Sequence, residues 1–364
     1  MKILDKYILS KYFKTFIFTV VLLLPIAIAI DISEKIHKFI KHEDLTIWEI
    51  AKDYYFNFAI YYANTFMPLA LFIAVIMFTS KLASNTEIIA MNSGGISFPR
   101  FVRIYFLGAL IIFVFAFFAN HFIVPKSNKT YEKFKRDYLK HSSRLVNEVK
   151  NASIQLNDEG DLIYIGNFNF RSNKGQYFTY EHYEDSKLHY KLMSRRIKFN
   201  EKDSTYTLSD YHKRYILNQK DSVLKGKQLD TIFDFKPSDI QIADYLAKEM
   251  TSFKLKDYIL KSEKRGIKNL NEYRVELYKR SSMPTSIFML TIIAVSLSFR
   301  KKRGGIGINL AFGVAIAFIY IFFMKIFEVL GAGATANPLL MVWIPNFIFA
   351  ILALILYLNA KKQI

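Results

Sequence analysis

Six long apolar runs constrain this chain more than any other feature of its sequence. A segment needs about 20 mostly apolar residues to cross the hydrocarbon core of a bilayer. Three runs lie towards each end of the chain, and they are Tyr12–Ile30, Phe56–Thr79, Phe101–Val124, Met283–Phe299, Ile306–Phe327 and Leu339–Leu358. The pattern predicts six membrane-spanning helices, and it excludes a wholly soluble protein or a weakly hydrophobic disordered chain.

The positive charge of the chain predicts how these helices are oriented. The sequence contains 50 Lys and Arg against 31 Asp and Glu, a net charge of +19. Basic residues flank both termini and the second-to-third and fourth-to-fifth connections, as Lys11, Arg100, Arg303 and Lys361 illustrate. Such residues are retained on the cytoplasmic side. We therefore expect a multi-pass membrane protein with both termini in the cytoplasm, and no motif supports the alternative of a nucleic-acid partner.

Some charged residues stand where membrane proteins rarely carry them. Lys35, Lys38 and Lys41 fall in a short loop that should be translocated, and short translocated loops disfavour lysine. They are either solvated residues of an interfacial helix or contacts for an anionic lipid head group. Lys325 and Glu328 lie three residues apart near the outer end of the fifth run. They form either a structural ion pair or a contact for a charged substrate.

The segment between the third and fourth runs has a different pattern. From about Ser153 to Phe235 it alternates short aromatic and β-branched stretches with polar turns. The predicted strands are Leu162–Ile165, Tyr177–Tyr180, Leu188–Phe199, Tyr206–Leu217 and Thr231–Phe235. Short strands at this spacing are typical of a sandwich, barrel or jellyroll. Two short helices, Ile240–Met250 and Leu255–Lys264, are expected to follow.

Several kinds of chemistry have no support in the sequence. There is no cysteine, and the seven histidines are scattered rather than spaced as metal ligands. No phosphate-binding loop, dinucleotide fingerprint, metalloprotease motif or nucleophile elbow occurs. We expect no catalytic residue, no metal, no cofactor and no ATP site of the chain's own.

The connection after the second run carries the most distinctive motif. Ser84 is placed to cap a short helix, and Glu87 follows three residues later, as in a capping box. A short amphipathic stretch then ends at two glycines. By itself the motif predicts a capped interfacial helix, and a rigid cytoplasmic helix can also receive a push from a separate ATPase. The residues we assign to such coupling are Ser84, Glu87, Ile88, Met91, Gly94 and Gly95.

Four stretches together resemble the LptF/LptG permeases of the lipopolysaccharide exporter. They are Ser84–Ser97, Tyr278–Pro284, Arg300–Gly305 and Met341–Asn346. The resemblance implies six membrane helices with an inserted periplasmic all-β, jellyroll-like domain. The expected division is residues 1–125 for helices one to three with a coupling helix at about 84–95. Residues 126–268 would form the periplasmic domain with its trailing short helices, and residues 269–364 helices four to six.

The resemblance also implies partners and a cellular location. The chain would be a multi-pass protein of the bacterial inner membrane and would pair with the other LptF/LptG permease. A dimer of the cytoplasmic ATPase LptB would drive it, with the Glu87 helix seated in an LptB groove. The substrate would be lipopolysaccharide, passed to LptC and a periplasmic bridge. Lys35, Lys38, Lys41 and Lys325 are the candidate head-group contacts. Three alternatives stay open: a permease of another lipid or lipoprotein exporter, a membrane lipid-modifying enzyme, and a structural or sensory protein with an extracytoplasmic binding domain and no ATPase partner.

Overall fold

The architecture comes from a computed structural model, which describes most of the chain in two compact units. The described residues are 3–42, 45–139, 148–156, 161–184, 187–201, 203–216, 221–237, 244–264, 270–300 and 305–362. The first unit comprises Met1–Leu139, Lys248–Ser252 and Asn271–Ile364, and the second comprises Lys140–Ala247 and Phe253–Leu270.

Six helices of the first unit are long and apolar enough to cross a membrane, which confirms the predicted spans. In chain order the helices are α1 Ile3–Phe39, α2 Ile47–Ser84, α3 Glu87–Ser93, α4 Phe98–Leu139, α5 Asp244–Glu249, α6 Ser252–Lys264, α7 Asn271–Ser298, α8 Gly305–Ala332 and α9 Pro338–Lys362. Five predicted spans lie wholly within one helix, and α7 ends one residue before the predicted Phe299. Residues 126–139, which the sequence analysis places beyond the third span, continue α4 as helix.

The long helices differ in how much of their apolar surface the chain itself covers. In α2, 72% of the most apolar segment is buried, whereas in α1 and α8 the values are 11% and 17%. The packing is close where α1 meets α4, because a Cβ added to Gly108 would lie 2.9 Å from the ring of Tyr12. Thus α2 is central, and α1 and α8 offer apolar faces to lipid or to another subunit.

The second unit contains a six-stranded antiparallel sheet among its described residues. Its strands pair in chain order, and they are β1 Glu148–Gln155, β2 Leu162–Asn169, β3 Lys174–Glu184, β4 Lys187–Asn200, β5 Thr205–Tyr215 and β6 Ser222–Thr231. One face buries Ile163, Ile165, Phe178 and Leu208 in a hydrophobic core. This confirms the fold class: six membrane helices with an inserted all-β domain of the jellyroll-like kind.

The strand boundaries differ from the prediction at both ends of the sheet. β1 begins at Glu148, in a polar stretch without a clear strand pattern, rather than near Ser153. The predicted strand Thr231–Phe235 is wrong beyond its first residue, because β6 ends at Thr231. Phe235 is nevertheless buried, and its carbonyl accepts a hydrogen bond of 2.8 Å from the Tyr206 hydroxyl. Its aromatic character serves core packing rather than strand pairing. Of the predicted helix Ile240–Met250, positions 240–243 lie outside the described residues.

The alternation of buried side chains changes phase halfway along the strands. Near the middle of the sheet, the cross-strand pairing skips one residue on each of several strands. The skipped residues include Gly166 on β2, Tyr177 on β3 and Asp210 on β5. Tyr177 and Asp210 have φ values of 56° and 55°, in the left-handed region. Ile165 and Phe168 are consequently both fully buried, although three residues apart they would point to opposite faces of a regular strand.

Gly175 provides a test of this packing. A Cβ at this position would lie 2.8 Å from both Ile197 Cγ2 and Phe168 Cδ2. Gly175→Val should therefore lower the unfolding free energy of the β domain by about 1–3 kcal/mol through overpacking. Thr179→Val on the same strand is nearly isosteric and serves as the control. Thermal unfolding of the purified chain, followed by circular dichroism and protease cleavage of the β domain, measures the difference. Equal stability of the two variants would contradict the packing shown here.

Candidate functional site

The connection between α2 and α4 contains the predicted short helix, but its start differs from the prediction. Ser84 is the last residue of α2, and Glu87 is the first residue of α3. Thr86 precedes the helix with a left-handed φ of 62° and makes no side-chain capping bond. The predicted capping box between Ser84 and Glu87 is therefore wrong, because that spacing instead covers a tight turn between two helices.

The carboxylate of Glu87 is held by the beginning of α1. The Tyr7 hydroxyl donates a hydrogen bond of 2.8 Å to Glu87 Oε2, and the Lys11 ammonium lies 3.6 Å from Oε1. Asn85 Nδ2 donates a longer bond of 3.4 Å. Partial burial opposes ionisation, but these hydrogen bonds and the charge of Lys11 outweigh it and lower the pKa of Glu87. Glu87 is thus a carboxylate at neutral pH that ties α3 to α1.

The rest of α3 has one packed and one exposed side. Ile88 is 3% exposed and belongs to the core of the helical unit, and Met91 packs against that core. Ile89 is 56% exposed on the other side. The chain leaves the helix through Gly95, whose left-handed φ of 79° suits glycine, whereas Gly94 has an ordinary φ of −80°. A rigid helix with a free face and an anchored acidic residue suits contact with another protein.

The candidate head-group lysines fall into two kinds. The Lys35 ammonium forms an ion pair with Asp31 of the same helix and donates a hydrogen bond of 2.7 Å to the Tyr54 hydroxyl. Tyr54 in turn donates to Asp31 at 2.9 Å, so that α1 and α2 are joined by a largely buried polar network. Lys38 and Lys41 are exposed. Lys35 is therefore engaged within the protein, whereas the other two are available to a ligand.

A cleft of about 140 Å³ lies within the first unit, between α2, α4, α7 and α8. Its lining includes Pro68, Leu69, Met283, Leu290, Ala317, Ile321 and Met324. Charged side chains from α7 and α8 also line it, and they are Glu276, Lys279, Arg280, Lys325 and Glu328. The cleft therefore combines an apolar lining with a cluster of charges, as a site for an amphiphile requires.

Glu328 forms ion pairs with two of these charged residues. The predicted pair with Lys325 is present at 3.0 Å, and Lys279 on α7 makes a second pair at 2.8 Å. The side chains of Lys279 and Glu328 are 21% and 25% exposed, whereas that of Lys325 is 65% exposed. Lys279 is thus the main structural partner, which the sequence analysis missed because no spacing relates residues on different helices. Lys325 retains most of its surface for solvent or a ligand.

A second cluster of titratable groups lies in the β domain. His182 Nδ1 is 2.9 Å from Asp161 Oδ1, and its Nε2 is 3.2 Å from Glu184 Oε1. The hydrogen bond to Asp161 is the main reason why the pKa of His182 is raised; desolvation opposes it, and Glu184 adds to it. Within the described part of the chain, no group of three or more potential ligand side chains could hold a metal ion. The cluster is therefore a local ion-pair network.

This network predicts a pH dependence of β-domain stability. A histidine whose pKa is raised on folding stabilises the protein fully below its unfolded pKa of about 6.5. That contribution is lost as the pH rises through the folded-state value. We expect the melting temperature difference between the unaltered chain and His182→Gln to be largest near pH 5.5 and to shrink above pH 7. His212→Gln, at an exposed position on β5, is the matched control, because His189 itself lies 3.4 Å from Glu184. A difference that grows with pH would contradict this assignment.

Six apolar helices, a short helix with an anchored carboxylate and an inserted β domain define a multi-pass membrane protein of the transport-subunit class. The chain belongs to the lipopolysaccharide export system permease LptF/LptG family, whose model matches residues 6–359, nearly its whole length. No curated protein matches the sequence. Members of this family are transport subunits of lipopolysaccharide export, located in the inner membrane, and their export system includes an ATPase and further subunits. The family identity agrees with the fold described above.

Proposed function

We propose that this chain extracts lipopolysaccharide from the inner membrane as one of two LptF/LptG permease subunits, driven by a separate LptB ATPase dimer. The observation that carries the proposal is the combination of the family match with α3, a short helix at a connection between two spans. Its Ile89 is exposed, and its Glu87 is anchored to α1. With both termini in the cytoplasm, as the flanking charge indicates, α3 lies on the side of an ATPase.

Extraction of lipopolysaccharide from a bilayer needs a source of energy. Each acyl CH₂ group removed from the bilayer costs about 0.8 kcal/mol, so that several chains cannot leave spontaneously. ATP-driven movement of α3 would displace α1, because Glu87 is bonded to Tyr7 and paired with Lys11. Only 11% of the apolar segment of α1 is buried, so that this segment would move at small packing cost, whereas Ile8 and Tyr12 near its start are anchored in the core. The β domain would then pass the lipid to LptC and the periplasmic bridge.

Reconstitution tests the proposal. The chain, its partner permease and LptB are placed in liposomes containing lipopolysaccharide, and release of the lipid to an added periplasmic acceptor is followed with and without ATP. We expect ATP-dependent release that needs both permeases. Release from liposomes without this chain, or complete complexes that hydrolyse ATP without moving lipid, would overturn the proposal.

The exposed lysines near the outer end of α1 allow a sharper test of substrate contact. Lys38→Gln with Lys41→Gln should reduce photocrosslinking to the lipid head group several-fold, because each lysine near a lipid phosphate contributes about 1 kcal/mol. Lys81→Gln with Lys361→Gln, at exposed positions near the opposite helix ends, removes the same charge and should leave crosslinking unchanged. Lys35→Gln should instead lower stability, since it breaks the pair with Asp31. Equal crosslinking in all these variants would exclude the lysines from substrate binding.

A further inference from the structure

A polar pocket lies against the sheet of the second unit, and its volume is about 500 Å³. Ligand sites for small molecules commonly measure about 300–1,000 Å³. The pocket is lined by side chains from β1 to β5 and by the β2–β3 turn. It borders the hydrophobic core at Gly175 and Ile197, whereas the core residues Phe168 and Leu208 do not line it. Its position and chemistry therefore require an explanation other than folding.

Nine of the twelve lining residues form two adjacent rows that cross the sheet; the other three are Ser172, Gly175 and Ile197. In the first row, successive cross-strand partners are Asn167, Gln176, Arg196 and Ser209. In the second row they are Glu148, Asn169, Lys174, Lys198 and Thr207. Every member is polar or charged, and three are cations against one carboxylate. Ordinary strand alternation puts the two rows on one face, and the phase change at Gly166 makes that face the one opposite Phe168 and the core.

The main evidence for a ligand comes from Lys174 and Lys198. They are direct cross-strand partners, so that their Cβ atoms lie about 4.5–5.5 Å apart and their charges repel. Both are exposed, and within the described parts of the chain neither has a hydrogen-bond or ion-pair partner. Facing lysines without an acid destabilise a sheet, and an anion bound between them would relieve the repulsion.

The other polar groups extend the site beyond a single anion. Arg196 pairs with Asp210 at 3.3 Å, but both side chains are about half exposed or more, so that this bond is weak and the guanidinium can turn to a ligand. Gln176 provides an amide that both donates and accepts, as sugar hydroxyls require. The one carboxylate, Glu148, accepts a hydrogen bond of 3.2 Å from Asn169 at the edge of the site. No lining residue is aromatic, so that recognition rests on charge and hydrogen bonds rather than on ring stacking.

We propose that this pocket binds a phosphate-bearing saccharide, with the phosphate between Lys174 and Lys198 and the sugar hydroxyls on the amide row. The inference rests on the proposed function for the source of that saccharide, which would be the head group of the exported lipid. The chemistry of the site is independent of that source. The sheet thereby carries two separate surfaces, an apolar face for packing and a polar face for an anionic carbohydrate.

Titration of the purified full-length chain in detergent tests the site. The probe is the soluble oligosaccharide released from lipopolysaccharide by mild acid, with its phosphates intact, and the comparison probe is the same material after dephosphorylation. We expect binding of the first probe, at least tenfold weaker binding of the second, and weakening by salt. Absence of binding, or equal binding of both probes, would overturn the proposal.

Matched variants connect the binding to the pocket. Lys174→Gln with Lys198→Gln should weaken binding of the phosphorylated probe at least tenfold. Lys225→Gln with Lys227→Gln removes the same charge from exposed positions on β6 outside the pocket and should leave binding unchanged. Because Lys174→Gln removes a repulsion, its melting temperature should not fall, so that lost binding cannot reflect unfolding. Equal loss in the two double variants would overturn the assignment.

The outcome separates this inference from the proposed function. If the probe does not bind but liposomes still release lipopolysaccharide, the pocket assignment fails and the transport function stands. If the probe binds through Lys174 and Lys198 but no lipid is released, the site stands and the transport function fails.

Discussion

Replacing Glu87 by lysine should abolish ATP-dependent lipid release and reduce recovery of the ATPase with the permease at least tenfold. The substitution removes the acceptor of the Tyr7 hydrogen bond and places a second ammonium beside Lys11. It also reverses the charge on the surface of α3 that we propose to enter the ATPase. Co-purification of the ATPase and ATP hydrolysis by the complex measure the effect, and normal assembly with normal hydrolysis would exclude a coupling role.

Two further variants separate the internal and external roles of Glu87. Tyr7→Phe removes only the internal hydrogen bond and should leave the ATPase bound while it weakens coupling between hydrolysis and release. Glu87→Lys combined with Lys11→Glu restores an internal ion pair with reversed polarity. If the ATPase contacts the negative charge of Glu87 directly, this double variant stays inactive. Full recovery would show that Glu87 serves only to join α3 to α1.

Replacing Glu328 by glutamine should destabilise the helical unit by about 2 kcal/mol. Glu328 accepts from Lys279 at 2.8 Å in a mostly buried cleft, and removal of its charge leaves the Lys279 ammonium without that partner. Removing one member of a fully buried pair costs about 3–5 kcal/mol, and the partial exposure here reduces the loss. The melting temperature in detergent micelles should fall by several degrees. Lys325→Gln, at a side chain 65% exposed, is the control and should cost less than about 0.5 kcal/mol.

The pair can be replaced as a whole to separate stability from transport. Lys279→Met with Glu328→Leu removes both charges at similar volume and should recover most of the lost stability. If the pair is purely structural, this double variant also recovers lipid release. If the charges contact the substrate, release stays low although the protein is stable. A single Glu328→Gln variant as stable as the unaltered chain would contradict the contacts described here.

In the β domain, the sequence pattern predicts one feature of the packing and misses another. The alternation on Leu162–Ile165 correctly predicts a strand with a buried face, since Ile163 and Ile165 are fully buried. The phase change at Gly166 is not visible in the sequence, because it accompanies left-handed residues on other strands of the sheet, such as Tyr177 on β3 and Asp210 on β5. Since that change decides which polar residues lie opposite the core, the position of the pocket at Lys174 and Lys198 was beyond prediction.

The short helix α3 was predicted in part, and its function in coupling stays a proposal. Glu87, Ile88 and Gly95 stand out locally, because helix starts, apolar positions and glycine ends depend on neighbours in the chain. The Ser84 capping box was wrong, since a tight turn and a helix cap share the same spacing. Tyr7 and Lys11 could not be assigned to Glu87 at all, because 80 and 76 residues separate them along the chain.

The amino-acid pattern was sufficient to predict the six membrane helices, the inserted β domain and the family of the chain. Length and apolarity of a run suffice for a membrane helix, because a bilayer forces the backbone to satisfy its own hydrogen bonds. Which polar groups meet became evident from the folded structure: Glu87 with Tyr7, Glu328 with Lys279, and Lys174 facing Lys198. The physical reason is that charge pairing acts across a few ångströms of space, whereas the sequence records only distance along the chain.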